Sequence, residues 1–413
     1  MPSKSSENPP EKALCNDAER SRPALLVLED GFLFRGKAFG AARQVTGELV
    51  FNTSMTGYPE LLSDPSYKGQ LVTLTTSEVG NYGVCKRDME SDDVQMSALL
   101  CKNLSPVASN WRSGMDLDAF LKEADVPGMY GFDTRALVRH IRDRGTMRAA
   151  ISTLHEANEP QALKRLLDAA RAEPRMAGRS LAKEVGTTVA YSVEEGLVDD
   201  EGNAISSLSA PRFRVVALDC GMKKNIGRLL HHHGCEVRVL PPTSTKEEIL
   251  AEKPHGLFVS NGPGDPASEE KIVEVVKSLV GALPIFGICL GHQLLSQALG
   301  AKTYKTHFGH RGANQPVKTP DGRVLITSQN HGFAVKDESL QSSSSSKEVS
   351  TFTNVSDGTN EGLIAHGQHA FSVQYHPEAA PGPKDAEIHF ADFVDVMAEF
   401  HKSPSPLDAS VSN

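Results

Sequence analysis

Tryptophan occurs once and cysteine six times in 413 residues. No apolar run approaches the ~20 residues of a membrane span, which excludes a helical membrane protein. The cysteines form no Cys-x-x-Cys pair, which excludes a zinc ribbon and argues against a disulfide scaffold. Such usage suits a soluble protein of a reducing compartment. Positive charge is also short: 43 Lys and Arg face 52 Asp and Glu, a formal net charge of −9. That leaves no electrostatic footprint for nucleic acid and no polybasic patch for a membrane surface. Residues 1–22 lack an apolar stretch and include Glu7, Glu11, Asp17 and Glu19. They therefore read as a disordered tail, neither a secretory signal nor a mitochondrial presequence, and the expected location is cytoplasmic.

What is present is ordinary globular composition, 39% hydrophobic and 23% charged, with length for two or three domains. Residues 23–180 hold short apolar runs punctuated by Gly31, Gly36, Gly40 and Gly47, and turn chemistry at Gly57-Tyr58-Pro59 and Asp64-Pro65-Ser66. This predicts a mixed α/β domain rich in short strands. Residues 181–211 are weakly patterned and read as a linker. From Phe213 the pattern changes. Strands are predicted at 213–219, 236–240, 256–260 and 284–288, and helices at 224–233, 246–252, 270–280 and 290–299. Strands alternating with helices predict an α/β domain over 212–402 with a mainly parallel sheet, whose ligands sit beyond the carboxyl ends of the strands. The serine run 342–346 reads as a flexible surface loop, and 403–413 as a second tail.

Two of those strand ends carry chemistry, and so do two later segments. In Gly287-Ile288-Cys289-Leu290-Gly291-His292-Gln293 an apolar strand runs into a cysteine with glycines two residues before and after it, and a helix follows. That is the pattern of a nucleophile elbow. The helix N-terminus behind Cys289 favours a thiolate and offers backbone N–H donors. The competing reading, a small buried hydrophobe, does not account for both glycines. A second strand ends in Tyr375-His376-Pro377-Glu378. A carboxylate on one imidazole nitrogen selects its tautomer and steadies the imidazolium, so Cys289, His376 and Glu378 form a candidate triad. Ser260-Asn261-Gly262-Pro263-Gly264-Asp265-Pro266 offers glycines for close backbone approach to a ligand, and Gln329-Asn330-His331-Gly332-Phe333 is a fourth polar loop.

Other signals are set aside. Gly31 to Lys37 fits a phosphate-loop spacing, but Ala38 replaces the magnesium-binding hydroxyl. Consecutive His231, His232 and His233 face different directions on a helix. His307 and His310 lie among glycines that argue for a loop. No metal site is expected.

The motifs S-N-G-P-G-D-P, G-I-C-L-G-H-Q and H-P-E resemble those of class I glutamine amidotransferase domains. In the first half, A-L-L-V-L-E-D-G, F-N-T-S-M-T-G-Y-P-E, D-P-S-Y-K-G-Q and F-D-T-R-A-L resemble the small, glutamine-hydrolysing subunits of carbamoyl phosphate synthetases. The resemblance covers roughly residues 23–402 and implies a flavodoxin-like second domain. It implies that Cys289 is the nucleophile, His376 the acid–base and Glu378 its partner. It implies an L-glutamine pocket of Ser66, Gly262, Gly264, Leu290, Gln293, Asn330, Gly332 and Phe333, with Leu290 and Gly262 giving backbone donors to the oxyanion. Glutamine would pass through a γ-glutamyl thioester. The ammonia would go to a separate large subunit that makes carbamoyl phosphate, the precursor of arginine and pyrimidines, from bicarbonate and ATP. No cofactor is expected in this chain; ATP and magnesium belong to the large subunit, its partner in a heterodimer or in a higher oligomer of heterodimers. An anthranilate- or guanylate-type amidotransferase is disfavoured by the first half, and a purely structural subunit by the intact triad.

Overall fold

In the computed structural model, residues 22–199, 201–207, 212–342 and 349–402 are described. The expected tails, apart from Arg22, and most of the serine run lie outside them.

The first half closes on itself. Strands β1 (Pro23–Leu28), β2 (Leu33–Gly40), β3 (Gln44–Asn52), β4 (Gln70–Leu74), β5 (Ala98–Leu100), β6 (Pro127–Tyr130) and β7 (Met147–Ser152) form a barrel in the order β1-β2-β6-β5-β4-β3-β7. Closure leaves no unpaired strand edge. Leu26, Leu49, Leu71, Leu100 and Met129 pack on one side of its wall. Val50, Val72 and Leu99 pack on the other, against Tyr67 and Leu121. The β3–β4 connection holds the helix Tyr58–Ser63 and the turn Pro65–Tyr67, and so presents Asp64 and Ser66 toward the second domain.

The second half is built on β8 (Phe213–Leu218), β9 (Cys235–Leu240), β10 (Gly256–Val259), β11 (Ile285–Ile288), β12 (Thr303–Lys318), β13 (Val324–Val335), β14 (Val349–Asn354), β15 (Asn360–Ala365) and β16 (Ala370–Val373). Five of these are parallel in the order β9-β8-β10-β11-β16, the flavodoxin-like arrangement. Both faces are covered, so their residues are apolar on both sides: Val216, Leu218, Val259 and Ile285 on one, Val215, Ala217, Phe258 and Phe286 on the other. Antiparallel strands β15, β14, β12 and β13 extend the sheet past β16. Strand–helix alternation reveals only the parallel part; the wing comes from hairpin connections that follow the nucleophile helix.

Part of the predicted linker is instead built into this domain. Ala182 is fully buried in its core, and Tyr191–Ser192 pairs antiparallel with β9 at the sheet edge. Single apolar residues spaced for one contact each leave no periodic pattern, which is why the stretch reads as a linker.

The long strand β12 ties the halves together. Thr53 N–H donates to the Arg311 carbonyl and Thr146 N–H to that of His307. Phe51 stacks on Phe308 with centroids 6.1 Å apart. Lys305 pairs with Glu48 of β3 at 2.8 Å.

Candidate active site

Cys289 follows β11 and caps the helix Leu290–Ala298 with φ 54° and ψ −101°, a left-handed conformation that a non-glycine residue holds only under strain. The flanking glycines are required by close approach. A Cβ on Gly287 would lie 2.6 Å from the Gly291 carbonyl oxygen, and one on Gly291 2.0 Å from that of Val259. The Cys289 N–H donates to the Val373 carbonyl at 2.9 Å, tying the elbow to the end of β16. The thiol is nearly buried, and its Sγ lies 3.6 Å from the Asn330 carbonyl.

His376 lies just past β16. Its Nδ1 is 2.6 Å from Glu378 Oε1, while its buried Nε2 has no hydrogen-bond partner. Burial and Lys223 both oppose the imidazolium; Glu378 and the charge of Cys289 outweigh them and raise His376 to about 10. Burial works against the Glu378 carboxylate, yet Lys223 and His376 hold it at about 2. His376 and Glu378 thus form an imidazolium–carboxylate pair at neutral pH.

Lys223 carries no motif and was missed from sequence. Its Nζ lies 3.1 Å from Glu378 Oε1, 3.2 Å from His376 Nδ1 and 3.6 Å from Asp64 Oδ2. Burial disfavours this ammonium, but Asp64, Glu378 and Glu90 keep it charged. Asp64 continues the network across the domain boundary. Its Oδ1 accepts from Ser66 N–H at 2.9 Å and its Oδ2 from Asn330 Nδ2 at 3.1 Å. Asn261 Nδ2 donates to Ser66 Oγ at 3.0 Å.

A small cleft beside Cys289 is lined by Ser66, Gly262, Gly264, Gln293, Asn330, Gly332 and Phe333, together with Lys305 and Arg311. Of the pocket positions named from sequence, only Leu290 is not part of the lining; its N–H sits at the start of the helix behind Cys289. Gln293 Nε2 donates to the Phe333 carbonyl and to Gln374 Oε1, both at 2.9 Å, and so fixes the segment of β13 that carries Phe333, which is paired strand and not the loop that its polar residues suggest. Next to it, His310, His331 and Glu361 bring one ligand atom each within 4.8 Å of one another, a grouping not foreseen from sequence; His307 and His310 lie in strand β12 and not in the loop that the nearby glycines suggest. His331 Nδ1–H donates to the Phe333 carbonyl at 2.8 Å and its Nε2 faces His310 Nδ1 at 3.2 Å. Burial and His310 keep His331 neutral. These contacts brace the segment of β13 that carries Phe333, and His331 itself reaches the cleft lining.

A cysteine on a strained elbow, a histidine and a carboxylate at the carboxyl ends of neighbouring parallel strands define a class I glutamine amidotransferase domain. The description "Glutamine amidotransferase class-I" matches residues 216–396. The first half matches "Carbamoyl-phosphate synthase small chain, CPSase domain" over residues 26–151. Among similar proteins, the carbamoyl phosphate synthase small chain of Syntrophotalea carbinolica is 49% identical over 92% of this chain and 99% of its own. That of Chlorobaculum tepidum is 49% identical over 91% and 98%. That of Thermosynechococcus vestitus is 47% identical over 92% and 98%. The chain belongs to the carbamoyl phosphate synthase small-chain family.

Proposed function

We propose that this chain hydrolyses L-glutamine at Cys289 and delivers the ammonia to a large subunit that makes carbamoyl phosphate. The observation that carries the reading is the buried arrangement of Cys289, His376, Glu378 and Lys223 at one end of the parallel sheet, beside a cleft closed by the first domain. The Cys289 thiolate attacks the side-chain amide carbon, forming a carbon–sulfur bond and an oxyanion. Backbone N–H groups of Leu290 and Gly262 face that oxyanion. His376 protonates the departing nitrogen and ammonia leaves. It then takes a proton from water, which cleaves the thioester to glutamate and restores the thiolate. Glu378 holds the imidazole on the correct tautomer, and Lys223 holds Glu378. ATP and magnesium act on the large subunit, the complex is a heterodimer, and its setting is the cytoplasm. Among the described residues no helix is long and apolar enough to cross a membrane.

His376→Asn is expected to lower glutaminase kcat by roughly 10²–10⁴-fold, the range for loss of a positioned acid–base. Glu378→Gln is expected to cost less, because it orients without exchanging protons with substrate. Steady-state kinetics of both variants test the order; a larger loss for Glu378→Gln would reverse the roles.

Ser66→Ala is expected to raise KM for glutamine about tenfold or more, on the scale of one lost hydrogen bond to a charged ligand. Ser66 is buried between Asn261 and the cleft. An unchanged KM, with an unchanged circular dichroism spectrum, would reduce Ser66 to a turn residue.

The assignment as a whole is tested by copurification with an ATP-using large chain, followed by synthesis of carbamoyl phosphate from glutamine. Failure of the purified complex to consume glutamine would overturn it.

A further inference from the structure

Arg311 is a buried cation in the cleft with no anion of its own. It is 4% exposed, its Nη1 donates to the Phe308 carbonyl at 2.9 Å, and its Nε is buried without a hydrogen-bond partner. Among the described residues no carboxylate forms an ion pair with it. Burial opposes its charge; Glu48, Tyr67 and Cys289 favour it from a distance, none of them through a hydrogen bond or an ion pair to it. Glu48 is already engaged by Lys305 at 2.8 Å and by Gln70 Nε2 at 3.2 Å. No Asp or Glu lines the cleft. A guanidinium does not escape this position by losing its proton. A buried charge left unpaired is costly, so its retention points to an anion that arrives with the ligand.

We infer that Arg311 recognises the α-carboxylate of the substrate amino acid and thereby selects free glutamine over amides without that charge. Three features place it for this task. In the β12–β13 hairpin Arg311 pairs directly with Asn330, whose carbonyl faces the Cys289 thiol. Gly332, on the same rim, leaves the space open: a Cβ there would lie 3.1 Å from Arg311 Nη2 and 2.9 Å from Lys305 Nζ. The strand is irregular on both sides of Arg311, with register shifts between Lys305 and His310 and between Gly312 and Gln315, so its side chain turns inward from an otherwise regular ladder. A planar guanidinium also suits a carboxylate, which it can grip with two parallel hydrogen bonds.

This rests on the glutamine-hydrolysing reading, so wild-type turnover of glutamine that is lost in Cys289→Ser must be seen first; its absence would defeat that reading and not this one. The test then compares Arg311→Met and Arg311→Lys in the full chain, with L-glutamine and its α-carboxamide as substrates. Arg311→Met is expected to lower kcat/KM for glutamine about 10- to 150-fold, mainly through KM. Turnover of the carboxamide should change little, so discrimination between the two collapses. Arg311→Lys should recover part of it. A readout independent of turnover is alkylation of Cys289. The diazoketone analogue of glutamine, which keeps the α-carboxylate, should label Arg311→Met more slowly than wild type, while iodoacetamide labels both at the same rate. Without ligand, Arg311→Met should melt no lower than wild type. Equal losses with both substrates, equal slowing with both reagents, or an unaltered KM for glutamine would each overturn the proposal.

Discussion

Cys289→Ser is expected to abolish glutamine-dependent carbamoyl phosphate synthesis, by about 10⁴–10⁶-fold on the scale seen when a nucleophile is removed from a catalytic unit. Synthesis from added ammonia should persist, because the large subunit needs only the product of this chain. A hydroxyl is far less acidic than a thiol, so the same imidazolium cannot hold its alkoxide. The fold should tolerate the change: serine is nearly isosteric, and the strain at φ 54° belongs to the backbone. Paired assays with glutamine and with ammonium salts check the result. Retained glutaminase activity would remove Cys289 from the nucleophile's role.

Lys223→Met is expected to harm both stability and turnover. The ammonium is shared by Glu378 and Asp64, with Glu90 acting from further away. Removing it leaves buried carboxylates without their cation, and breaking a buried pair in this way costs about 3–5 kcal/mol. Catalysis should fall roughly 10²-fold through displacement of His376. The pH dependence has a definite sign. Glu378 is held below its ordinary value, so its contribution to stability is present above about pH 4.5 and is lost as pH falls toward 2. With Lys223 gone its folded value rises, and acid unfolding should begin at a higher pH. Thermal melts across pH 3–7 and glutamine kinetics at neutral pH check both halves. A variant as stable as wild type would make the lysine a spectator.

Much of the parallel core was legible because each of its elements carries a local signal. A largely apolar strand of four to six residues, a polar loop and an amphipathic helix repeat from Phe213 to Leu299, and predicted ends fall within a residue of those observed. The elbow was legible because only glycine satisfies the contacts around Cys289. The barrel was not, since its strands are short and its closure depends on pairing β7 with β1 and β3, far apart in sequence. Lys223 and Arg311 were invisible for a related reason. A buried lysine and an exposed one look alike in sequence. What marks Lys223 is its three carboxylates, which come from Asp64, Glu90 and Glu378, and what marks Arg311 is the lack of any. The same holds for Glu361, which meets His310 and His331 only when β15 and β12 join one sheet.

The cleft beside Cys289 takes Ser66 from one domain and Gly262, Asn330 and Arg311 from the other. A ligand that needs both sides binds only the closed seam, and so it tightens the very contact that forms its site. If glutamine is that ligand, the free energy by which it holds the domains together equals the free energy by which their docking raises its affinity. Any force that pries Asp64 away from Lys223 and Asn330 is felt as weaker substrate binding, and an occupied pocket resists that force. The small chain therefore behaves as a latch whose bolt is its own substrate.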